Sequence, residues 1–277
     1  MLCSTPLESP ARIRLMGDSF LYASSGLVSR ACRHAVSLLF SVGAEPMEVQ
    51  WCEGSVRARA VLVRPLVNRW LRAARTPFVL LDLEPMHAGF RSFSLAQTGP
   101  GVQPLELPAV QALHELALQF HAGQWVGPEL DAQLRAAVGR LAAAWFDPGP
   151  LDKRVAAMMR AIERNACTSL EALAQAQALS PTHASRLFSA QVGIPARAYA
   201  LAAKVRVAAG YMGSGRRLTD VAMAAGFADS AHFAKVWLRS YGAPPSRYFA
   251  LGRTAVDAQG SPQPARWPKQ RVSALLA

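Results

Sequence analysis

Residues 168–199 and 218–248 carry one pattern twice, and this duplication constrains the fold more than any other feature of the sequence. At an offset of 48, Leu170, Leu173, Ala174 and Leu179 fall on Leu218, Val221, Ala222 and Phe227. One residue enters at the turn. At an offset of 49, Ser180, His183, Arg186, Leu187, Phe188, Gly193 and Tyr199 then meet Asp229, His232, Lys235, Val236, Trp237, Gly242 and Tyr248. In each copy a short helix with an apolar face leads into a turn, and Ser180 or Asp229 caps a second helix. Thr168 with Glu171 reads as a capping box for the opening helix of the first copy, and Thr219 with Asp220 as the cap of the second. The inward residues are Ala184, Leu187 and Phe188 in one copy and Phe233, Val236 and Trp237 in the other. Facing outward are Thr182, His183, Ser185 and Arg186, then Ser230, Ala231, His232, Lys235 and Arg239. A capped helix, a tight turn and a second helix with a polar, cationic outer face make a helix-turn-helix unit. The chain carries two in tandem.

The segment between them, residues 196–212, is Ala-rich and reads as a helix about 25 Å long at 1.5 Å per residue. One turn of B-DNA is about 34 Å, so a spacer of this size, with its flanking turns, suits two second helices placed in successive major grooves. Residues 213–217 (GSGRR) then supply a basic, flexible link. The net charge of the chain is +12, and it is unevenly spread: residues 1–150 carry +1, residues 151–253 carry +9 and the last 24 carry +2. Concentrated positive charge on the duplicated segment is what a polyphosphate partner requires.

The first half has a different texture. Short apolar or alternating runs at 35–42, 58–63 and 78–83 predict strands, separated by turn residues at 43–46, 53–54 and 76–77. Residues 66–74 fit either strand or helix, and residues 1–20 read as a loose start. Several short strands at this spacing predict a small β-barrel or sandwich. Residues 108–121 and 128–146 switch to helical periodicity and predict a hairpin that packs on the strands and contributes in part to a homodimer interface. Asp147-Pro148-Gly149-Pro150 marks an interdomain break. The fold class expected is therefore α+β with two domains: residues 1–147, a small β-barrel with a helical hairpin, and residues 151–250, all α. A tail at 254–277 is expected to be disordered.

Several function classes are disfavoured by the same sequence. Arg and His interrupt every apolar run, so no membrane span is expected, and residues 1–17 lack the pattern of a signal peptide. Cys3, Cys32, Cys52 and Cys167 have no CxxC spacing, which predicts reduced thiols in a cytoplasmic protein rather than disulfides or a zinc cage. His114-Glu115 begins an HExxH pattern, but Leu118 stands at the second histidine position. The four histidines of the first half, His34, His87, His114 and His121, are expected to be packed or solvated rather than metal ligands. No cofactor and no metal are expected.

Residues 151–250 resemble the DNA-binding domain of AraC/XylS-family bacterial transcription regulators, chiefly through AxxxGFADSAHFAKVW with GAPPSRY and LSPTHASRLF with GIPARAY. The resemblance implies a seven-helix domain with two recognition helices, a preceding cupin-like sensor domain, and RNA polymerase as a partner. It places base-edge contacts at Thr182, Ser185 and Arg186 and at Ser230, Ala231, His232 and Lys235, with His183 divided between base and phosphate. Arg186 and Lys235 can donate to guanine O6 and N7, and Ser or Thr can read either member of a pair. Arg216, Arg217, Arg239 and Arg247 suit phosphate anchoring, which positions without specifying. Lys204 stands where the family's linker helix usually has Arg, and Trp237 where Phe is usual. In the first half, Trp51, Trp70, Phe78 and Phe93 fit either a core or a small-molecule pocket. The expected function is a sequence-specific transcription regulator, an activator acting on double-stranded DNA in the cytoplasm, with a sensing or dimerising first half. The alternative is a metal-dependent cupin enzyme with an appended DNA-binding domain.

Overall fold

A computed structural model describes residues 11–96, 99–125, 127–250 and 256–257. The described residues of the first half form ten strands: β1 (Arg12–Leu15), β2 (Ser19–Ser24), β3 (Leu27–Cys32), β4 (Val36–Ser41), β5 (Met47–Trp51), β6 (Gly54–Ala58), β7 (Ala60–Val63), β8 (Asn68–Ala73), β9 (Phe78–Leu83) and β10 (Val102–Pro104). Helices α1 (Phe90–Leu95), α2 (Gln111–His121) and α3 (Pro128–Trp145) complete it. The duplicated half contains α4 (Lys153–Arg164), α5 (Leu170–Gln175), α6 (Pro181–Val192), α7 (Ala196–Ala209), α8 (Leu218–Ala224), α9 (Ser230–Tyr241) and α10 (Pro245–Phe249). From the tail, β11 (Val256–Asp257) pairs parallel with β1, and the remaining tail residues lie outside the described ones. Within residues 66–74, Asn68–Ala73 form strand β8, whose inward Arg69, Leu71 and Ala73 alternate with exposed or half-buried Asn68, Trp70 and Arg72.

The expected barrel is not closed. The strands form two sheets, β10-β7-β4-β9-β2-β1-β11 and β3-β8-β5-β6. The edge strand β3 meets helix α9 instead of another strand, so the ladder that would complete a barrel is replaced by a helix from the second half. Strands β2, β4, β7 and β9 are buried along their whole length, as strands covered on both faces must be.

Two apolar cores hold the molecule together, and each draws on both halves. In one, Leu38, Leu81, Phe90 and Phe93 join Val155, Ile162, Phe188 and Tyr199. In the other, Ile13, Phe20, Tyr22 and Phe78 join Val221, Phe233, Trp237 and Tyr248. The first repeat is thus seated in one core and the second repeat in the other. Polar ties reinforce both seats. Arg91 donates from Nε to the Gln191 carbonyl at 2.7 Å and reaches the Pro148 and Gly149 carbonyls, pinning the expected interdomain break to α1.

A buried ionic cluster lies at the second seat. Asp82 is fully buried, forms an ion pair with Arg33 and accepts from the Ser37 hydroxyl at 2.6 Å. Glu84 is nearby, and its burial pushes its carboxyl up to about 7, against the pull of Arg206. His34 is driven down to about 4 by burial and by Arg239. The two shifts have opposite consequences. A raised Glu84 holds its proton more tightly in the folded state, so its stability contribution is full below about pH 4.5 and is lost as pH rises to about 7, a change of about 3 kcal/mol. A depressed His34 contributes stability that is lost as pH falls from 6.5 toward 4. In wild type the slopes oppose each other across the same window. In Glu84→Gln, chemical denaturation is expected to show stability relative to wild type growing between about pH 4.5 and 7 and constant above. Parallel curves for the two proteins would mean that Glu84 is ionised in the fold.

Candidate nucleic-acid interface

The two helix-turn-helix units are built with matching hydrogen bonds. The Leu179 amide donates to the Ala174 carbonyl at 3.0 Å, and at the equivalent place Phe227 donates to Ala222 at 3.0 Å. The residue before each is in the left-handed region, Ala178 at φ 52° and Gly226 at φ 79°. Alanine there costs about 1–2 kcal/mol that glycine does not, so the first turn is the strained copy. Ser180 Oγ accepts from the His183 amide at 3.2 Å, and Asp229 Oδ1 from the His232 amide at 2.6 Å. Both expected second-helix caps are therefore made.

The expected caps of the two opening helices are not. The first is capped by Ser169, which accepts from the Ala172 amide, while Thr168 donates back to the Asn165 carbonyl. The second begins after Arg217 with no side-chain cap, which places Thr219 inside the helix. A capping residue must be extended at the helix boundary, and helix α8 starts two residues earlier than the Thr219 reading allows.

The sequence-predicted readers fall into two groups. Thr182, His183, Arg186, Ala231, His232 and Lys235 are exposed, and Ser185 and Ser230 are half-buried. Their helices are anchored by fully buried Ala184, Phe188, Phe233 and Trp237 on the opposite face. Arg216 and Arg217 are exposed beside α8, with the Arg216 guanidinium 4.8 Å from the Tyr211 ring centre. Arg239 is turned toward the first half, Nη2 standing 4.0 Å from Cys32 Sγ, and half-buried Arg247 acts electrostatically on Tyr22.

Ser185, His232 and Arg239 meet across a cleft of about 910 Å³. Its floor is the linker helix α7, through Arg197, Leu201 and Lys204, and its far wall is Cys32, His34 and Leu66 of the first half. Arg197, Lys204 and Arg239 line it without any carboxylate. The linker helix is held by an Arg206–Glu163 ion pair to α4. Sequence reasoning missed this cleft, because its walls are far apart in the chain and come together only when the two halves dock.

Each second helix ends in a glycine in contact with the first half. A Cβ on Gly193 (φ 88°) would meet Ser94 Oγ at 2.6 Å, and one on Gly242 (φ 73°) would meet the Arg30 carbonyl oxygen at 2.6 Å. Both positions are glycine for the left-handed helix end and for this close approach.

Comparison with known proteins agrees with the geometry. The family described as a helix-turn-helix domain matches residues 173–250. Residues 173–250 are an AraC-type helix-turn-helix domain. A chain with that domain is a DNA-binding transcription regulator. Among solved structures, apo ToxT from Vibrio cholerae superimposes with a TM-score of 0.57 at 12% identity, over 84% of this chain and 97% of that one. ToxT from the same organism bound to an unsaturated fatty acid gives 0.52 at 12% identity, over 90% of this chain and 96% of that one. At this identity the likeness is one of fold, and it extends through both halves of the molecule. No curated protein sequence matches the chain.

The histidines of the first half do not converge. His34 lines the cleft, His87 Nδ1 accepts from the Gly89 amide at 3.0 Å, and His114 Nε2 is 2.9 Å from the Ser41 carbonyl. Among the described residues no three His, Cys, Asp or Glu side chains are grouped to hold a metal, and no helix is long and apolar enough to cross a membrane.

Proposed function

We propose that this AraC-type regulator activates transcription by setting α6 and α9 into successive major grooves of one operator, with RNA polymerase as the partner it recruits. The observation that carries this reading is the duplicated recognition helix. Both copies are capped alike, both bury an aromatic anchor, and both leave a cation exposed at the equivalent position, Arg186 and Lys235. Thr182, His183, Ser185, Ser230, Ala231 and His232 complete the two reading faces, and Arg216, Arg217, Arg239 and Arg247 supply phosphate contacts. Arg186→Ala and Lys235→Ala are each expected to cost about 1–3 kcal/mol at one base pair and to relax preference there. Gel-shift titrations against an operator and its single-base variants measure this. Unchanged affinity and preference in both variants would refute the assignment of the recognition helices.

The cleft between the halves suits an effector. Three cations among apolar lining residues such as Ile162, Leu170, Leu173 and Leu201, in a space of about 910 Å³, fit an anionic amphiphile of drug-like size. The fatty acid bound to ToxT is of that class. Because the cleft is lined by Ser185 and His232 of the reading faces and by the phosphate anchor Arg239, occupancy of the cleft and DNA binding are coupled.

A further inference from the structure

Arg69 is an unusual residue for an inward position of a strand. It is 5% exposed, and its side chain makes no hydrogen bond or ion pair among the described residues. It faces a cavity of about 20 Å³ lined also by Arg33, Leu71, Tyr22, Tyr241 and Tyr248. The tyrosines 241 and 248 come from α9 and α10, so the second half closes the cavity that the sheets open. Arg33 is paired with Asp82 through one terminal nitrogen, and its buried Nε has no acceptor. No carboxylate lines the cavity.

The charge balance is incomplete. Asp82 pairs directly with Arg33 and acts on Arg69 only through space, so one carboxylate serves two buried guanidiniums and none lines the cavity itself. A buried charge left uncompensated is among the costliest features a fold can carry. Burial and the neighbouring Arg33 lower the Arg69 guanidinium to about 10, which still leaves it charged at neutral pH. A water molecule would accept from these donors but would leave the charge in place. A space of this size admits one water molecule or one monatomic ion and no polyatomic ligand.

We propose that Arg33 Nε and the Arg69 guanidinium hold a single halide-sized anion, with chloride as its occupant, sealed beneath Tyr241 and Tyr248. The site lies apart from the cleft lined by α7 and does not depend on what binds there. Because one wall belongs to each half, the anion ties the DNA-binding half to the sheets, and its loss loosens that contact.

The test compares melting of the full chain in sodium chloride, sodium bromide and sodium methanesulfonate at one ionic strength. The expected result is a saturable rise in melting temperature with halide, absent in methanesulfonate. Arg69→Met should abolish the halide response, while Arg72→Met, on the exposed face of the same strand, should keep it. Crystals grown in bromide should show an anomalous peak between Arg33 and Arg69, a readout that stands even where Arg69→Met fails to fold. The same melting curve in all three salts, a halide response surviving Arg69→Met, or no bromide peak would each overturn the proposal. A bromide peak with no halide-dependent melting would mark an adventitious ion only, and would overturn it as well.

Discussion

Trp237→Ala is expected to destabilise the protein by about 3–5 kcal/mol and to abolish duplex binding near physiological temperature. Trp237 has no exposed surface and is the largest fully buried side chain among the described residues. Its ring centre lies 4.4 Å from that of Tyr241, 5.3 Å from Phe249, 5.5 Å from Phe233 and 5.7 Å from Tyr248. Tyr241 in turn touches Phe20 at 5.7 Å, and the Arg33 guanidinium lies 4.3 Å from its ring. Removing the indole therefore opens a cavity on the inner face of α9 and loosens that helix from the sheet. Little relaxation can fill it, because the neighbours are rings held by one another. Trp237→Phe, which keeps an aromatic anchor, should lose much less. Thermal melting followed by near-ultraviolet circular dichroism, with duplex binding measured in parallel, checks both effects. An unchanged melting midpoint in Trp237→Ala would show that the second unit does not depend on this anchor.

Asp82→Ala is expected to cost a similar amount, about 3–5 kcal/mol, for a different reason. The substitution removes little apolar area. It leaves buried Arg33 without its carboxylate and the Ser37 hydroxyl without its acceptor, in the middle of a sheet where β9 lies between β2 and β4. The penalty is thus the charge left behind rather than the bond lost. An Asp82→Leu/Arg33→Met double variant separates the two, since replacing both partners by apolar residues of similar volume is commonly neutral or better. The double variant should recover most of the stability that Asp82→Ala loses in urea titrations. Equal losses in the two proteins would mean that the pair contributes directly.

Much of this molecule was legible in its sequence where the signal is local. The strand at 78–83 was placed to the residue, and the second-helix caps Ser180 and Asp229 were identified, because capping and alternation act within a few residues. The cap expected at Thr168 falls on its neighbour Ser169 because a helix start is free to shift by one residue among adjacent polar residues, and the cap expected at Thr219 is absent because α8 starts two residues earlier, after Arg217, with no side-chain cap. The open pair of sheets and the interdomain cleft lay beyond sequence reasoning for a physical reason. Both depend on α9 docking against β3, a contact between residues some two hundred positions apart that no periodicity announces. The buried Arg33 and Arg69 were the available clue. Two arginines flanking apolar strand positions predict either an exposed strand edge or an internal counter-charge, and only the packed fold distinguishes them.

The paired glycines at the ends of α6 and α9 set how the DNA-binding half can move. Gly193 rests on Ser94 and Gly242 on the backbone of β3, one footing in each apolar core. A body held at two separated points keeps no pivot that frees one point while the other stays seated. Neither recognition helix can swing out alone without bending α7 or breaking its Arg206–Glu163 tie. Movement of α6 and α9 away from the sheets is therefore expected to be concerted, the two helices keeping their mutual orientation through α7.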